Sequence, residues 1–376
     1  MKIPRYYADL GSFLKPNRVL VLYGPRQVGK TTLLKDYLAS APHKYRLDSG
    51  EDVRIQEILE YQDFAKIREY ASGYDLLAID EAQKIRNVGQ ALKILVDQVP
   101  GIRVIATGSS SFDLAGQVGE PLTGRKITLT LYPVAQVELA GMFTPFELRE
   151  RLEEFLIFGG YPEVAASSDK KEKARILTEI SSSYLLKDIL ALDRIKSSKV
   201  VMDLLRLLAF QIGSEVSLSE LAQKVGLDYK TVARYLDLLE KSFVIFTLRG
   251  FRRNLRNEMT KKAKYYFFDN GIRNALIANF NPLDLRDDAG GLWENFLLLE
   301  RIKRQAYRAV PVNFFFWRTW EGQEIDLIEE REGKLFAFEF KWTGNGREPK
   351  KFREAYPEAE FEVVNRETYL GFVGVP

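Results

Sequence analysis

Gly24-Pro25-Arg26-Gln27-Val28-Gly29-Lys30-Thr31-Thr32 follows the aliphatic run Val19-Leu20-Val21-Leu22 and leads into the amphipathic Leu33-Leu34-Lys35-Asp36-Tyr37-Leu38. A buried strand that turns through glycines into a helix is an arrangement that captures phosphate. The glycines let the backbone turn without Cβ clashes, so N–H groups converge on one anion. In such a loop Lys30 reaches the β- and γ-phosphates, the Thr31 hydroxyl ligates Mg²⁺, and the helix beginning at Lys30 adds its positive dipole end. All nine residues from Gly24 to Thr32 are therefore candidate nucleotide contacts. The expected fold class is α/β, with a parallel-sheet P-loop core.

Working outward, Tyr45-Arg46-Leu47-Asp48 reads as a second strand and Asp75-Leu76-Leu77-Ala78-Ile79-Asp80-Glu81 as a third that ends in paired carboxylates. Helical spacing over Val88 to Val99 precedes a further buried strand, Ile102-Arg103-Val104-Ile105-Ala106-Thr107, which closes in Gly108-Ser109-Ser110-Ser111. Strands alternating with helices imply a parallel sheet covered on both faces, with ligand at the strands' carboxyl ends. Asp80 and Glu81 form the Walker B arrangement. Asp80 is expected to hold Mg²⁺ through its water shell, and Glu81 to orient and deprotonate the attacking water. Ser109 is the first choice for contact with the γ-phosphate or that water, and Thr107 the second. Arg125, before the strand Ile127 to Leu131, is the candidate for positive charge at the transition state. No Asn-Lys-x-Asp stretch argues for guanine, so the expected ligands are ATP and Mg²⁺.

A chain of 376 residues exceeds one ordinary core, and two or three domains are expected. No apolar stretch approaches the ~18 residues that span a bilayer, and the start, Met1 to Asp9, lacks a signal-like apolar core. The expectation is a cytoplasmic protein without a membrane partner. There is no cysteine, and His43 is the single histidine, which excludes thiol catalysis, Cys/His zinc sites, and haem or iron–sulfur ligation. The net charge of +3 conceals an uneven distribution. Between Arg249 and Lys264 seven basic residues face only Glu258, a local +6 that leaves −3 for the rest.

Phe158-Gly159-Gly160-Tyr161-Pro162-Glu163 interrupts the pattern and reads as a hinge. Beyond it, helical stretches at Lys170 to Ile189 and Lys199 to Ile212 lead into Ser217 to Glu240. That segment is a capped helix, a turn at Gly226 and a second helix, followed by apolar Phe243-Val244-Ile245-Phe246. A helix-turn-helix with a wing fits this order. Lys230, Arg234, Arg252, Arg253 and Arg256 are its candidate DNA contacts, because a basic stripe neutralises phosphates. The domain division expected is 1–158, 159–262 and 263–376.

In the last block, Leu335-Phe336-Ala337-Phe338-Glu339-Phe340-Lys341-Trp342 alternates aromatic residues with Ala337, Glu339 and Lys341, and Glu324-Ile325-Asp326-Leu327 alternates acids with aliphatics. Asp326 and Glu339 would share a divalent metal, Lys341 would position a hydroxide, and Glu294 on the preceding helix would add a further carboxylate. This is the PD-(D/E)xK nuclease pattern, with Ile325 in place of the usual proline. Asp169-Lys170-Lys171 also fits the bare D-x-K triplet, but within a polar helical stretch.

Gly24 to Thr32, Ile79-Asp80-Glu81-Ala82-Gln83-Lys84, Ala106-Thr107-Gly108-Ser109-Ser110, Phe158 to Glu163, Tyr266-Phe267-Phe268-Asp269-Asn270-Gly271 and Leu292-Trp293-Glu294-Asn295-Phe296 together resemble the prokaryotic AAA-type ATPases that carry a C-terminal domain of unknown function. The resemblance spans nearly the whole chain. It implies an AAA+ ATPase core, a winged-helix middle and a terminal domain related to PD-(D/E)xK nucleases. The expected function is Mg²⁺-dependent ATP hydrolysis acting on, or regulated by, DNA. The alternatives are an ATP-licensed metal-dependent DNA nuclease and a nucleotide-gated switch that binds a protein partner. An arginine acting across subunits would require a homo-oligomer.

Overall fold

The computed structural model describes residues 3–109, 121–184, 198–251 and 262–376. They fall into two compact units. Arg5–Tyr132 with Lys241–Phe243 form the first, and the second is drawn mainly from Pro133–Glu240 and Val244–Pro376.

In the first unit, strands β1 (Arg18–Tyr23), β2 (Tyr45–Ser49), β3 (Leu76–Asp80), β4 (Arg103–Gly108) and β5 (Lys126–Thr130) lie in the order β2-β3-β4-β1-β5. Every pairing is parallel. The aliphatic centres of β1, β3 and β4 are fully buried, as expected of strands covered on both faces. Helices α1 (Lys30–Leu38), α2 (Val53–Glu60), α3 (Phe64–Ala71) and α4 (Val88–Gln98) connect them. Ile67, Leu92 and Leu95 from α3 and α4 pack with Val19, Val21, Leu77, Ile79 and Val104 of the sheet. Asp52 and Asp63 cap α2 and α3 by accepting first-turn backbone N–H groups. The strand order matters for chemistry: β1 and β3 are not neighbours but flank β4, so the carboxyl ends of all three form one row.

The second unit holds one mixed seven-stranded sheet. Its strands are β6 (Glu215–Ser217), β7 (Ile245–Gly250), β8 (Lys262–Phe267), β9 (Asn313–Arg318), β10 (Glu324–Arg331), β11 (Lys334–Phe340) and β12 (Glu360–Val364), in the order β12-β11-β10-β9-β7-β8-β6. Helices α5 (Leu152–Phe158), α6 (Lys170–Glu179), α7 (Ser198–Phe210), α8 (Leu218–Val225), α9 (Tyr229–Lys241), α10 (Asn270–Leu276) and α11 (Ala289–Tyr307) accompany it. Ser217 caps α8, Gly226 ends it in the left-handed region at φ 68°, and α9 follows, so the helix, turn and helix anticipated between Ser217 and Glu240 are present. The D-x-K triplet at Asp169 is a helix start, with the Asp169 carboxylate accepting from Lys171 N.

The compact units are not divided at residues 158 and 262. The first closes at Tyr132. Residue 262 begins β8, which pairs with β7, and β7 pairs in parallel with β9 at Arg249↔Phe315, so strands from both sides of that position share one sheet. Nor is Phe158 to Glu163 at the limit of a unit. Gly160 N donates to Asp269 Oδ2 at 2.7 Å, Asn274 Nδ2 donates to Ile157 O at 2.8 Å, and a Cβ on Gly159 (φ 70°) would meet Asp269 Oδ1 at 2.0 Å. Gly159 admits a buried carboxylate, and Gly160 admits the Val134 carbonyl, whose oxygen a Cβ there would meet at 2.5 Å. Among the described residues, no helix is long and apolar enough to cross a membrane.

A buried ion pair ties α11 to the sheet. Glu329 on β10 is completely buried and receives Arg301 Nε at 2.5 Å and Nη2 at 2.9 Å, with Gln305 donating to both oxygens and Arg331 Nε at 3.1 Å. Burial by itself would raise its pKa; the bidentate Arg301 outweighs that and holds the carboxyl below its ordinary value. Glu329→Ala leaves Arg301 without its counter-charge and should cost about 3–5 kcal/mol in urea unfolding of this unit. Because the folded-state pKa is depressed, Glu329 contributes fully above the ordinary glutamate value near 4.3 and loses that contribution as pH falls through the folded value. The stability gap between wild type and Glu329→Ala should therefore narrow under acid conditions.

Candidate nucleotide site

The phosphate loop is built against its neighbouring strand. Gly24, at φ 151°, lies so close to the backbone beyond β5 that a Cβ there would meet Leu131 O at 1.9 Å. Gly29 takes φ 90° and leads into α1. Arg5, which the sequence reading did not single out, braces the loop: its guanidinium donates to Val28 O and, at 2.6 Å, to Tyr132 O. Lys30 is buried, and its ammonium donates to Gly24 O at 2.8 Å and Pro25 O at 2.7 Å, which fixes a positive charge at the loop's inner face.

The row of strand ends brings β3 and β4 to this loop. Thr31 Oγ1 donates to Asp80 Oδ2 at 2.8 Å, and Thr107 Oγ1 from β4 donates to Asp80 Oδ1. Thr107 also accepts from Glu81 N at 3.1 Å. Thus Thr107, the second choice from sequence, touches both acidic residues. Ser109, the first choice, is buried one step further out and accepts from Gln83 Nε2 at 3.0 Å. The same Gln83 amide donates to Glu81 Oε2 at 2.5 Å. Glu81 itself adopts φ 52°, and Gly50 allows that turn, since a Cβ there would lie 2.4 Å from Glu81 O. For Gln83 the sequence offers a single signal, a polar residue two positions after Glu81.

Arg125 is not brought to this site. Its carbonyl accepts from Val19 N near the start of β1, and its guanidinium pairs with Asp97 at 2.6 Å. Because β1 and β5 run parallel, Arg125 stands at the amino-terminal end of the strands, opposite the end that carries the loop.

The second unit does assemble Glu294, Asp326, Glu339 and Lys341. Lys341 Nζ lies 2.5 Å from Glu339 Oε1, and Asp326 Oδ2 accepts from Phe340 N at 2.7 Å. The β9–β10 register shifts between Ile325 and Ile328, the kind of bulge that re-aims a side chain. Burial, then the negative charges of Glu294 and Glu339, push the Asp326 carboxyl well above its ordinary value; burial also raises Glu339 against the lowering effect of Lys341. Among the described residues, no three acidic or histidine side chains are arranged to hold a metal ion. Lys264, counted above in the basic stripe, is buried here and ion-paired, because strand alternation on β8 turns it inward. Of the DNA candidates, Lys230 and Arg234 are exposed on α9, whereas Arg252, Arg253 and Arg256 lie outside the described residues.

Comparison with known proteins agrees with this geometry. Residues 16–140 match the family model described as AAA domain, residues 149–284 a domain of unknown function (DUF8612), and residues 289–372 another (DUF4143). The chain is similar to an uncharacterized protein of Mycobacterium tuberculosis, 29% identical over 340 residues that cover 90% of this chain and 73% of the relative. It is also 25% identical to an uncharacterized protein of Methanocaldococcus jannaschii over 384 residues, covering 95% and 83% of the two chains. A protein of Haemophilus influenzae, likewise uncharacterized, is 25% identical over 352 residues, 88% and 84% of the respective lengths. The first unit therefore carries an AAA-type P-loop domain, a class that in general binds ATP and Mg²⁺.

The packing of Gly24 gives a direct check. Gly24→Ala should displace the loop and abolish binding of a fluorescent ATP analogue, while Gly141→Ala, whose Cβ would meet nothing within 4 Å, should leave binding unchanged.

Proposed function

We propose that the first unit binds ATP with Mg²⁺ and hydrolyses it. The observation that carries this reading is the continuous hydrogen-bonded line from Thr31 of the loop, through Asp80, to Thr107. Thr31 Oγ1 and Asp80 Oδ2 are hard oxygen donors 2.8 Å apart at the start of α1, the donor type Mg²⁺ prefers, and these two residues would hold it. When bound, the ion withdraws charge from the phosphate oxygens. The loop backbone from Gly24 to Thr32 and Lys30 bind the β- and γ-phosphates. Glu81 accepts the proton of a water whose oxygen attacks the γ-phosphorus, as the bond to the β,γ-bridging oxygen breaks and ADP leaves. Gln83 positions Glu81 by donating its amide to that carboxylate, and Ser109 anchors the same amide. Thr107 fixes Asp80 and the Glu81 backbone from the strand between.

Steady-state ATP hydrolysis with parallel binding measurements tests these roles. Lys30→Ala should lose ATP binding. Glu81→Gln should keep binding and lose about 10²–10⁴-fold in kcat, the range for removal of a general base. Gln83→Ala should lower kcat with KM unchanged, because it acts on the base and not on the nucleotide. Unchanged turnover in Glu81→Gln would remove the catalytic reading and leave binding alone.

A second reading, action on DNA, is favoured by one observation: α8 and α9 lie between β6 and β7, strands that both pair antiparallel with β8, and α9 presents exposed Lys230 and Arg234. Salt-sensitive binding of duplex DNA that weakens in Lys230→Ala and Arg234→Ala, and ATP turnover that rises with DNA, would support it. Turnover indifferent to DNA, with no binding at low salt, would leave the protein-binding switch.

A further inference from the structure

Of the acidic residues expected to hold a divalent cation in the second unit, Glu294 pairs with a buried lysine, joined there by Glu324, and Glu339 pairs with Lys341. Lys264, on β8, is 2% exposed at its side chain; its ammonium lies 3.0 Å from Glu294 Oε1 and 2.5 Å from Glu324 Oε1, and 5.5 Å above the Phe316 ring centre. Tyr266, two residues along the same strand, donates its hydroxyl to Glu294 Oε1 at 2.5 Å. Gly213 gives Glu294 its room, since a Cβ there would come within 2.9 Å of Glu294 Oε2.

We infer that the Lys264 ammonium stands in for the divalent cation of this carboxylate cluster, so that the site is closed to Mg²⁺ and Mn²⁺ and the second unit does not cut nucleic acid through a metal-activated water. The charges support this. Glu294, Glu324, Asp326 and Glu339 face the ammonium groups of Lys264 and Lys341, and the Arg318 guanidinium stands 3.8 Å from Glu324 Oε2. Arg318 is shared with Glu215, 3.9 Å away, while the ammonium groups of Lys264 and Lys341 together already bring the +2 that a divalent ion would supply, which leaves little to repay the dehydration of such an ion. One oxygen of each carboxylate is also taken. Glu294 Oε1 and Glu324 Oε1 accept from Lys264, Glu339 Oε1 from Lys341, and Asp326 Oδ2 from the Phe340 N–H. Of the remaining oxygens, Glu339 Oε2 is buried without a hydrogen bond. A metal entering here would lie beside a buried ammonium that has no path to solvent, and the two positive charges would repel through a low dielectric.

Mn²⁺ titration without nucleotide, read by the electron paramagnetic resonance signal of the free ion, tests the inference on the full chain carrying Asp80→Asn, which silences the loop's own metal ligand. This protein should bind no Mn²⁺ at millimolar concentration and should not nick supercoiled plasmid. Adding Lys264→Met, which keeps the side-chain length and removes the charge, should create one Mn²⁺ site at least tenfold tighter, lost again on Glu339→Gln. Mn²⁺ bound by the Asp80→Asn chain and released by Glu339→Gln, or nicking that disappears in Lys341→Ala, would overturn the inference. So would a folded Lys264→Met chain that gains no site. Should Lys264→Met not fold, the titration and plasmid assay on the Asp80→Asn chain decide the matter alone.

Discussion

Asp80 is held from both sides: one carboxylate oxygen takes the hydroxyl of Thr31 from the helix after β1, the other that of Thr107 from β4. This arrangement exists only because β4 is threaded between β1 and β3. Were β1 and β3 adjacent, the loop lysine and Asp80 would crowd together and no strand end would remain to carry Thr107 and Ser109. The interposed strand puts two strand spacings, about 4.8 Å each, between β1, which leads into the phosphate loop, and β3, which leads into Glu81. It also fills the gap with hydroxyl groups that can hold the acids without competing for a proton. The parallel sheet makes the site by default, since its buried strands point their carboxyl ends, and the polar residues that end them, the same way.

The second unit follows another logic. Its sheet is mixed, and much of its specificity lies in charges that have been taken out of water. Arg301 and Glu329, Arg273 and Asp288, and Lys264 between Glu294 and Glu324 are each satisfied by direct pairing and added hydrogen bonds. Such pairs stabilise less than apolar packing of equal volume, yet a shift of β8 or β10 by one residue would part Lys264 or Glu329 from its partners. Apolar alternation alone leaves β10 and β11 free to slip; the buried pairs, together with the bulge between Ile325 and Ile328, remove that freedom.

This difference decides what was legible from residues alone. The first unit was readable because its signals are periodic and local: aliphatic runs for β1, β3 and β4, glycines where the loop must turn, and carboxylates at a strand end. The loop, Asp80 and Glu81 follow from those signals. What escaped was set by side chains meeting from distant positions. Thr107 and Ser109 sit two residues apart, and only the register of β4 against β3 places the first, not the second, on Asp80. Gln83 is invisible until its amide is seen between Glu81 and Ser109. Arg125 stands away from the loop of its own chain for a topological reason, as a residue before a parallel strand lies at the end of the sheet opposite the ligand. In the second unit, strand alternation sets Glu339 and Lys341 on one face, where their side chains pair, and Asp326 accepts from the Phe340 N–H between them. The same rule puts Lys264 on one face of β8 with Tyr266, and both reach Glu294, but a cluster of basic residues invites a count of charge in place of a count of faces.

That last error has a general physical content. A lysine in a basic stretch is ordinarily hydrated, and its charge adds to the long-range field that draws in polyanions. Once buried between two carboxylates it contributes nothing to that field; its charge is cancelled within a few ångströms, and its ammonium becomes a fixed part of the core. The stripe from Arg249 to Lys264 is thus not one surface. One of its members belongs to the interior of the sheet that the stripe was expected to decorate, and the same ammonium answers the carboxylates whose crowding otherwise calls for a metal. A single buried side chain therefore weakens two functional expectations at once, polyanion attraction and metal chemistry, while leaving untouched the phosphate loop, whose chemistry rests on backbone geometry and on Asp80 held between two hydroxyls.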